Sequence, residues 1–381
     1  MHTPTSKQHI SLLLAAATAL AVFLIWGRPT DAVMPEPTAQ TDTLPMAYAE
    51  NITMIRHQHY CQVDIKNPWK KGHLLHRYIL VSREDSALLG THPEGTVVYT
   101  PVSRSVVFTS AHCQLLCWLG AEDAVSGVCD KQFINIPAIR QHAEDCGDGM
   151  MPMVEKIVDL HPQALLISPF ENSGGYGRLE QIGIPIIETA DYMETSALGR
   201  AEWMRFYGML YGKARQADSL FHVVDSCYQA LRTLAHRQPE GRSFLTERLT
   251  GSTWYVPGGH STIGTMLADA NARYPWAADT HSGSLPMSFE AVIDKAADSD
   301  VWLIKSHGTA PTRNTLLSEH HGYDMFAAVR NQQVYYCNTL ERPYFEEVSF
   351  RPDYLLRELI LLAHPGILPA DTLRYYCRMT R

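Results

Sequence analysis

One long stretch without proline organises this chain. The sequence carries 22 prolines, yet none falls between Ser196 and Gln238. Inside that stretch Trp203, Phe206, Leu210, Ala217, Leu220, Val224, Leu231 and Leu234 recur at three-, four- and seven-residue steps, which places them on one helical face. A helix over 199–236 would run on the order of 50 Å, longer than one small lobe needs. The pattern predicts a linking helix over 196–238 with a folded lobe at either end. The alternative is two helices broken near Gly212.

Both flanks read as α/β. Ahead of the link, strands at 106–108, 124–128, 164–167 and 185–187 alternate with helices at 112–119, 153–160 and 178–182. Beyond it, strands at 254–256, 301–305 and 334–336 alternate with helices at 262–271 and 289–297, and two more helices, over 352–363 and after Asp371, close the chain. Such alternation builds parallel sheets. The segment before Val106 is less regular, and 78–81 with 96–100 suggest a strand pair added to the first lobe. The lobes are assigned to 51–195 and 239–381. A weak repeat relates them: Pro152-Met-Val-Glu155 leads a helix into the strand at 164–167, as Met287-Ser-Phe-Glu290 does for the strand at 301–304.

At 381 residues, 45% hydrophobic and 19% charged, the chain can bury two ordinary cores. Its net charge of -8 and the lack of a basic stripe with interleaved aromatics argue against a nucleic-acid partner. Near the N-terminus Lys7 precedes an apolar run over 10–26, and Arg28, Pro29 and Asp31 then restore polarity. That order matches an export signal over 1–32, cut after Ala32 with Thr30 at minus three, or an uncleaved anchor. Residues 33–50 read as a tether rich in Pro and Thr. No cysteine precedes Cys61, so a lipid-modified signal is not expected.

Eight cysteines follow, an even number in a compartment where disulfides persist. Cys129 and Cys146 are the first candidates for pairing, and Cys113 with Cys117 suit one helix face. His57, His59 and Cys61 stand at alternate positions, which on a strand would point one way and hold a metal. There is no G-x-S-x-G elbow, and Gly174-Gly-Tyr-Gly177 lacks both a P-loop lysine and a dinucleotide fingerprint. Catalytic residues are therefore not expected.

Several ordered segments are more specific. Thr109-Ser-Ala-His-Cys113, Ser168-Pro-Phe-Glu-Asn172, Leu179-Glu-Gln-Ile-Gly-Ile-Pro-Ile186, Ala190-Asp-Tyr-Met-Glu-Thr-Ser-Ala-Leu-Gly-Arg-Ala-Glu-Trp203, Trp254-Tyr-Val-Pro-Gly-Gly259, and Phe289-Glu290 with Ala296-Ala-Asp-Ser-Asp-Val-Trp302 resemble the periplasmic iron-siderophore, haem and cobalamin binding proteins, above all their Bacteroidetes-type branch. The resemblance spans about 105–365. It implies the class III periplasmic binding protein fold: two Rossmann-like lobes joined by one long rigid helix, with ligand held between them. It also implies an ABC importer permease and its ATPase as partners, a monomer in the periplasm, no intrinsic cofactor, and an iron or cobalt complex as cargo.

In such proteins one glutamate per lobe docks on permease arginines, and the matching positions are Glu155 and Glu290. The rival reading is that each carboxylate only complements the dipole of its helix. Ligand contacts are expected from loops at the carboxyl ends of strands. On the first lobe these are Ser110, His112, Asp130, Phe133, Phe170, Asn172 and Tyr176. On the second they are Gly259, His260, Trp276, Ser284, Lys305, His307, Arg342, Tyr344 and Phe345. His112, His260 or His307 would ligate iron or cobalt, and Arg342 or Arg313 would pair with carboxylates. Trp254 and Trp302 read as core. The rival function is an exported metal-site protein or enzyme using His57, His59 and Cys61.

Overall fold

The computed structural model describes residues 42–171, 175–369 and 373–380. The signal segment, most of the tether, Asn172 and Asp371 lie outside the described residues. The first lobe is a five-stranded parallel sheet of β6 (Ser105–Val107), β7 (Val125–Val128), β8 (Glu144–Asp145), β9 (Ala164–Ile167) and β10 (Ile186–Glu188), in the order β10-β9-β6-β7-β8. The first strand thus lies in the middle and the winding reverses between β6 and β9. Every residue of β9 is buried, as a strand covered on both faces requires. Val107, Ala164 and Leu166 face the large core of the molecule, whereas Val106, Leu165 and Ile167 face a smaller one with Ile157 and Leu179.

The second lobe pairs β11 (Phe244–Thr246), β15 (Val301–Ser306) and β16 (Val334–Asn338) in parallel, and β17 (Cys377–Arg378) closes the edge antiparallel. Residues 254–256 are a strand, but not in that sheet. They belong to β13 (Thr253–Pro257), which pairs antiparallel with β12 (Leu249–Thr250) and β14 (Ser284–Met287). Periodicity reports that a strand is buried but not which partner it takes. Trp254 and Trp302 are fully buried and stack with centroids 5.5 Å apart. The two repeat segments fold alike: the helices Val154–Asp159 and Phe289–Ala296 lead into β9 and β15.

The link is helical over most of its length but is not one helix. It forms Ala197–Glu202, Met204–Leu210 and Ala214–His236. The turn at Gly212 takes φ of 67°, and a Cβ at Gly208 would sit 2.5 Å from Cβ of Ala217, so the chain bends sharply there and packs its two arms closely. The last helix is about 34 Å long by its rise per residue. It packs on Met204–Leu210 and on Pro352–Ala363 of the second lobe.

Ahead of the first lobe there are five strands rather than a pair. β1 (Asp42–Leu44), β2 (Ile52–Arg56), β3 (Cys61–Lys66), β4 (Leu74–Ser82) and β5 (Thr96–Thr100) form one sheet in chain order, antiparallel except for β4 with β5. The expected tether therefore ends early, because its last residues are docked. The fully buried Glu202 carboxylate accepts the backbone N–H groups of Ala47, Tyr48 and Ala49 at 2.8–2.9 Å. Glu194, also buried, accepts those of Glu50 and Asn51 together with the Trp203 indole N–H. Burial raises the Glu194 pKa even against these donors. All eight cysteines are free thiols, so Cys129 and Cys146, buried side by side, are not paired.

Candidate functional site

Open α/β sheets leave a crevice where the winding reverses, beyond the carboxyl ends of the strands. Here that point follows β6 and β9, and a cavity of about 590 Å³ opens on it, lined by Thr109, Asp130, Phe170, Tyr176 and Arg178. Thr109 caps the Ser110–Leu119 helix by accepting the His112 N–H, and Gly120 ends it in the left-handed conformation. The Tyr176 hydroxyl donates to Glu188 at 2.8 Å, and the other oxygen of that carboxylate lies 3.0 Å from Nδ1 of His76 on β4. The added sheet therefore braces this wall.

The second lobe offers a cavity of about 640 Å³ lined by Arg248, Tyr255, Ser284, Lys305, His307 and Phe345. Its cations are already paired: Arg248 spans both oxygens of Glu319 at 2.7 and 2.9 Å, and Lys305 holds Glu247. Burial opposes the Lys305 charge, but Tyr344 and Glu247 outweigh it and keep its pKa raised. A third cavity of about 360 Å³ joins the lobes, with Ser110, Asp130 and Phe133 on one side and His307, Phe345 and Glu346 on the other. Phe133 and His307 meet edge to face at 5.5 Å, and the Asn135 amide donates to Leu340 O at 3.0 Å. The middle cavity shares Thr109 and Asp130 with the first and His307 and Phe345 with the second, so the three run together as one cleft.

Of the residues singled out in the sequence, Ser110, Asp130, Phe133, Phe170, Tyr176, Ser284, Lys305, His307 and Phe345 border this cleft. Others do not. His112 is in the interior, with Nε2 at 2.9 Å from Asp191 and 3.0 Å from the Tyr207 hydroxyl, and Nδ1 on Thr109. Burial opposes the Asp191 charge, but His112 and Arg200 hold its pKa below the usual range. Both ring nitrogens of His112 are thus committed to the fold. Trp276 is buried beneath Lys295. Gly259 is a packing position, because a Cβ there would meet the Asp279 carbonyl at 2.4 Å. His260 is exposed and borders none of the three cavities. Arg342 turns to Cys377 and the Arg374 carbonyl, and Tyr344 is buried under Lys305. A sequence places a loop at a strand end but does not say which of its side chains turns inward.

Glu155 and Glu290 are exposed in the first turns of equivalent helices. Their own backbone N–H groups come first in lowering both pKa values, helped by Arg178 at 2.8 Å for Glu155 and by Ser288 for Glu290. The geometry required by the His57, His59 and Cys61 reading is missing: residues 57–60 form the turn between β2 and β3, with the His57 ring stacked on Tyr60. Among the described residues no group of three or more His, Cys, Asp or Glu side chains is gathered for a metal. The sequence reading passed over Glu247, Arg248, Thr339 and Glu346, although Thr339 and Glu346 flank the stretch it did select.

Residues 106–339, more than half of the chain, match the family model described as periplasmic binding protein. The chain belongs to that family. Relatives of this periplasmic binding protein include an uncharacterised lipoprotein of Methanocaldococcus jannaschii, 24% identical over 71% of this chain and 67% of the relative. A second uncharacterised lipoprotein of that organism is 22% identical over 59% of this chain and 58% of its own length. Among solved structures, a possible iron-binding protein from Staphylococcus epidermidis aligns at TM-score 0.56 with 16% identity, over 69% of this chain and 99% of that one. A periplasmic heme-binding protein from Roseiflexus aligns at 0.56 with 22% identity over 70% and 100%. The periplasmic vitamin B12 binding protein of Vibrio cholerae aligns at 0.51 with 17% identity over 69% and 96%. At these identities the structures establish a shared fold.

Proposed function

We propose that this periplasmic binding protein is the substrate-binding component of an ABC importer. It captures an iron complex, siderophore or haem, or a corrinoid, between its lobes and presents it to a permease in the inner membrane. The observation that carries this reading is the continuous cleft at the winding reversal, closed over by the second lobe through His307, Phe345 and Glu346. Neighbours of the same fold, a possible iron-binding protein, a heme-binding protein and a vitamin B12 binding protein, support the cargo class. Ser110, Phe170, Tyr176, Ser284 and His307 are its ligand contacts in this reading. Glu155 and Glu290 project one carboxylate from each lobe, which suits bidentate pairing with two arginines. Arg178 must release Glu155 when that happens. The protein works outside the cytoplasm, freed by signal cleavage or held by its N-terminal segment. Among the described residues no helix is long and apolar enough to cross a membrane.

Calorimetric titration of the purified protein against ferric siderophores, haemin and cyanocobalamin tests the proposal. Saturable one-to-one binding of one of them below about 1 μM, some 8 kcal/mol, is expected. Failure of every member to bind would overturn it.

A further inference from the structure

The cleft's charges are unequally satisfied, and this bears on cargo. Each lysine or arginine that borders it already holds a carboxylate: Arg178 pairs with Glu155, Arg248 with Glu319 and Lys305 with Glu247. Two acids of the middle cavity have no such cation. Among the described residues the Asp130 carboxylate accepts one hydrogen bond, from the backbone N–H of Gly149 at 3.1 Å. Glu346 is the sharper case. It is 3% exposed, its Oε2 has no hydrogen-bond partner, and it borders the cavity between the lobes.

Its neighbour shows that this is not the fate of any carboxylate at that place. Glu347, in the same Tyr344–Glu347 helix, is spanned by the Arg374 guanidinium at 2.5 and 2.6 Å and receives the Tyr375 hydroxyl at 3.0 Å. One of two adjacent buried acids is fully satisfied by the fold, and the other borders the cleft with one carboxylate oxygen left unpaired. A buried acceptor without a donor is destabilising, and more so when charged. A ligand that brings the donor recovers that cost; a ligand that brings a carboxylate adds repulsion to it.

Resting on the proposed binding role, we infer that the middle of this cleft selects a ligand face bearing N–H donors or positive charge, read by Glu346 from the second lobe and Asp130 from the first. The cargo class is therefore an amine- or amide-bearing metal complex. A carboxylate-bearing macrocycle such as haem is disfavoured, because among the described residues each lysine and arginine lining the cleft is already paired with a carboxylate. Tyr255, Phe345 and Phe133 supply apolar surface for the rest of such a ligand.

The test uses ligand pairs that carry opposite or different charge on a shared scaffold. A linear ferric trihydroxamate with a free terminal ammonium is compared with its succinylated form, cyanocobalamin with its monocarboxylic acid, and haemin is added as the dicarboxylate macrocycle. By calorimetry the ammonium or amide member of a pair should bind about tenfold or more tighter than its acid counterpart, and tighter than haemin. Glu346→Gln, checked for an unchanged melting temperature, should bring that ratio within about threefold. Asp130→Asn, which suits the positive φ of 51° at that position, should narrow it as well. Tighter or equal binding of haemin or of an acid member to the wild-type protein overturns the inference alone, as does an unchanged ratio in both variants. Binding of no probe at all overturns the transport reading and the inference with it.

Discussion

The first lobe and the sheet ahead of it are held by different means. The lobe is built on β6 and β9, short apolar strands covered on both faces, so its stability is mostly burial. The added sheet has its own buried residues, Ile52, Val63, Ile65 and Tyr78 among them. Yet the segment that leads into β2 is fixed by polar contacts, with five consecutive backbone N–H groups received by two buried carboxylates, Glu194 just before the link and Glu202 on it. A single side chain thus controls several backbone bonds of the lead-in segment, whereas in the lobe the load is spread over many methyl groups.

Glu202→Ala is where this contrast should show most strongly. It leaves three N–H donors without their acceptor, removes one of the partners of Arg205, which keeps Asp218, and should cost about 3–5 kcal/mol. Limited proteolysis should then cut first within 42–66. A loss below about 1 kcal/mol would mean that apolar packing alone holds the sheet. Leu166→Ala, in the core of the lobe, should cost about 2–4 kcal/mol in chemical denaturation without exposing 42–66 to protease.

Two histidines sharpen the same contrast between fold and cleft. His112→Ala breaks the buried contacts to Asp191 and Tyr207 and should cost about 1–3 kcal/mol of stability. His307→Ala should change stability by no more than about 0.5 kcal/mol while weakening cargo binding about tenfold. The reverse pattern would place the site elsewhere. The smallest effects on the isolated protein belong to Glu155→Ala and Glu290→Ala. Melting temperature should be unchanged in both and ligand affinity unchanged in Glu290→Ala, and uptake by cells expressing the complete importer should fall in both.

The contrast also explains what was legible in the sequence. Strands such as 164–167 and 301–304 announce themselves because burial on both faces demands unbroken apolar runs. β2 and β3 are half exposed, and what anchors their lead-in segment lies in Glu194 and Glu202, more than 140 residues away. Nothing local marks that. Gly212 was visible as the breaking point of the link, but the close approach of Gly208 to Ala217, which makes the bend compact, is a tertiary fact. In the cleft, strand ends pointed to loops that border it and led to Phe170, Tyr176 and His307. They could not separate Tyr344, turned inward, from Phe345, turned to the cleft, nor tell which of Glu346 and Glu347 would meet Arg374.

The central claim is that cargo is held between the lobes and that the added sheet only braces one wall. Hydrogen exchange of the protein with and without the ligand selected by titration tests it most directly. Protection is expected in 108–110, 130–134 and 175–179 of the first lobe together with 305–308 and 339–346 of the second, with 42–66 unchanged. Protection confined to one lobe, or centred on the added sheet, would contradict it.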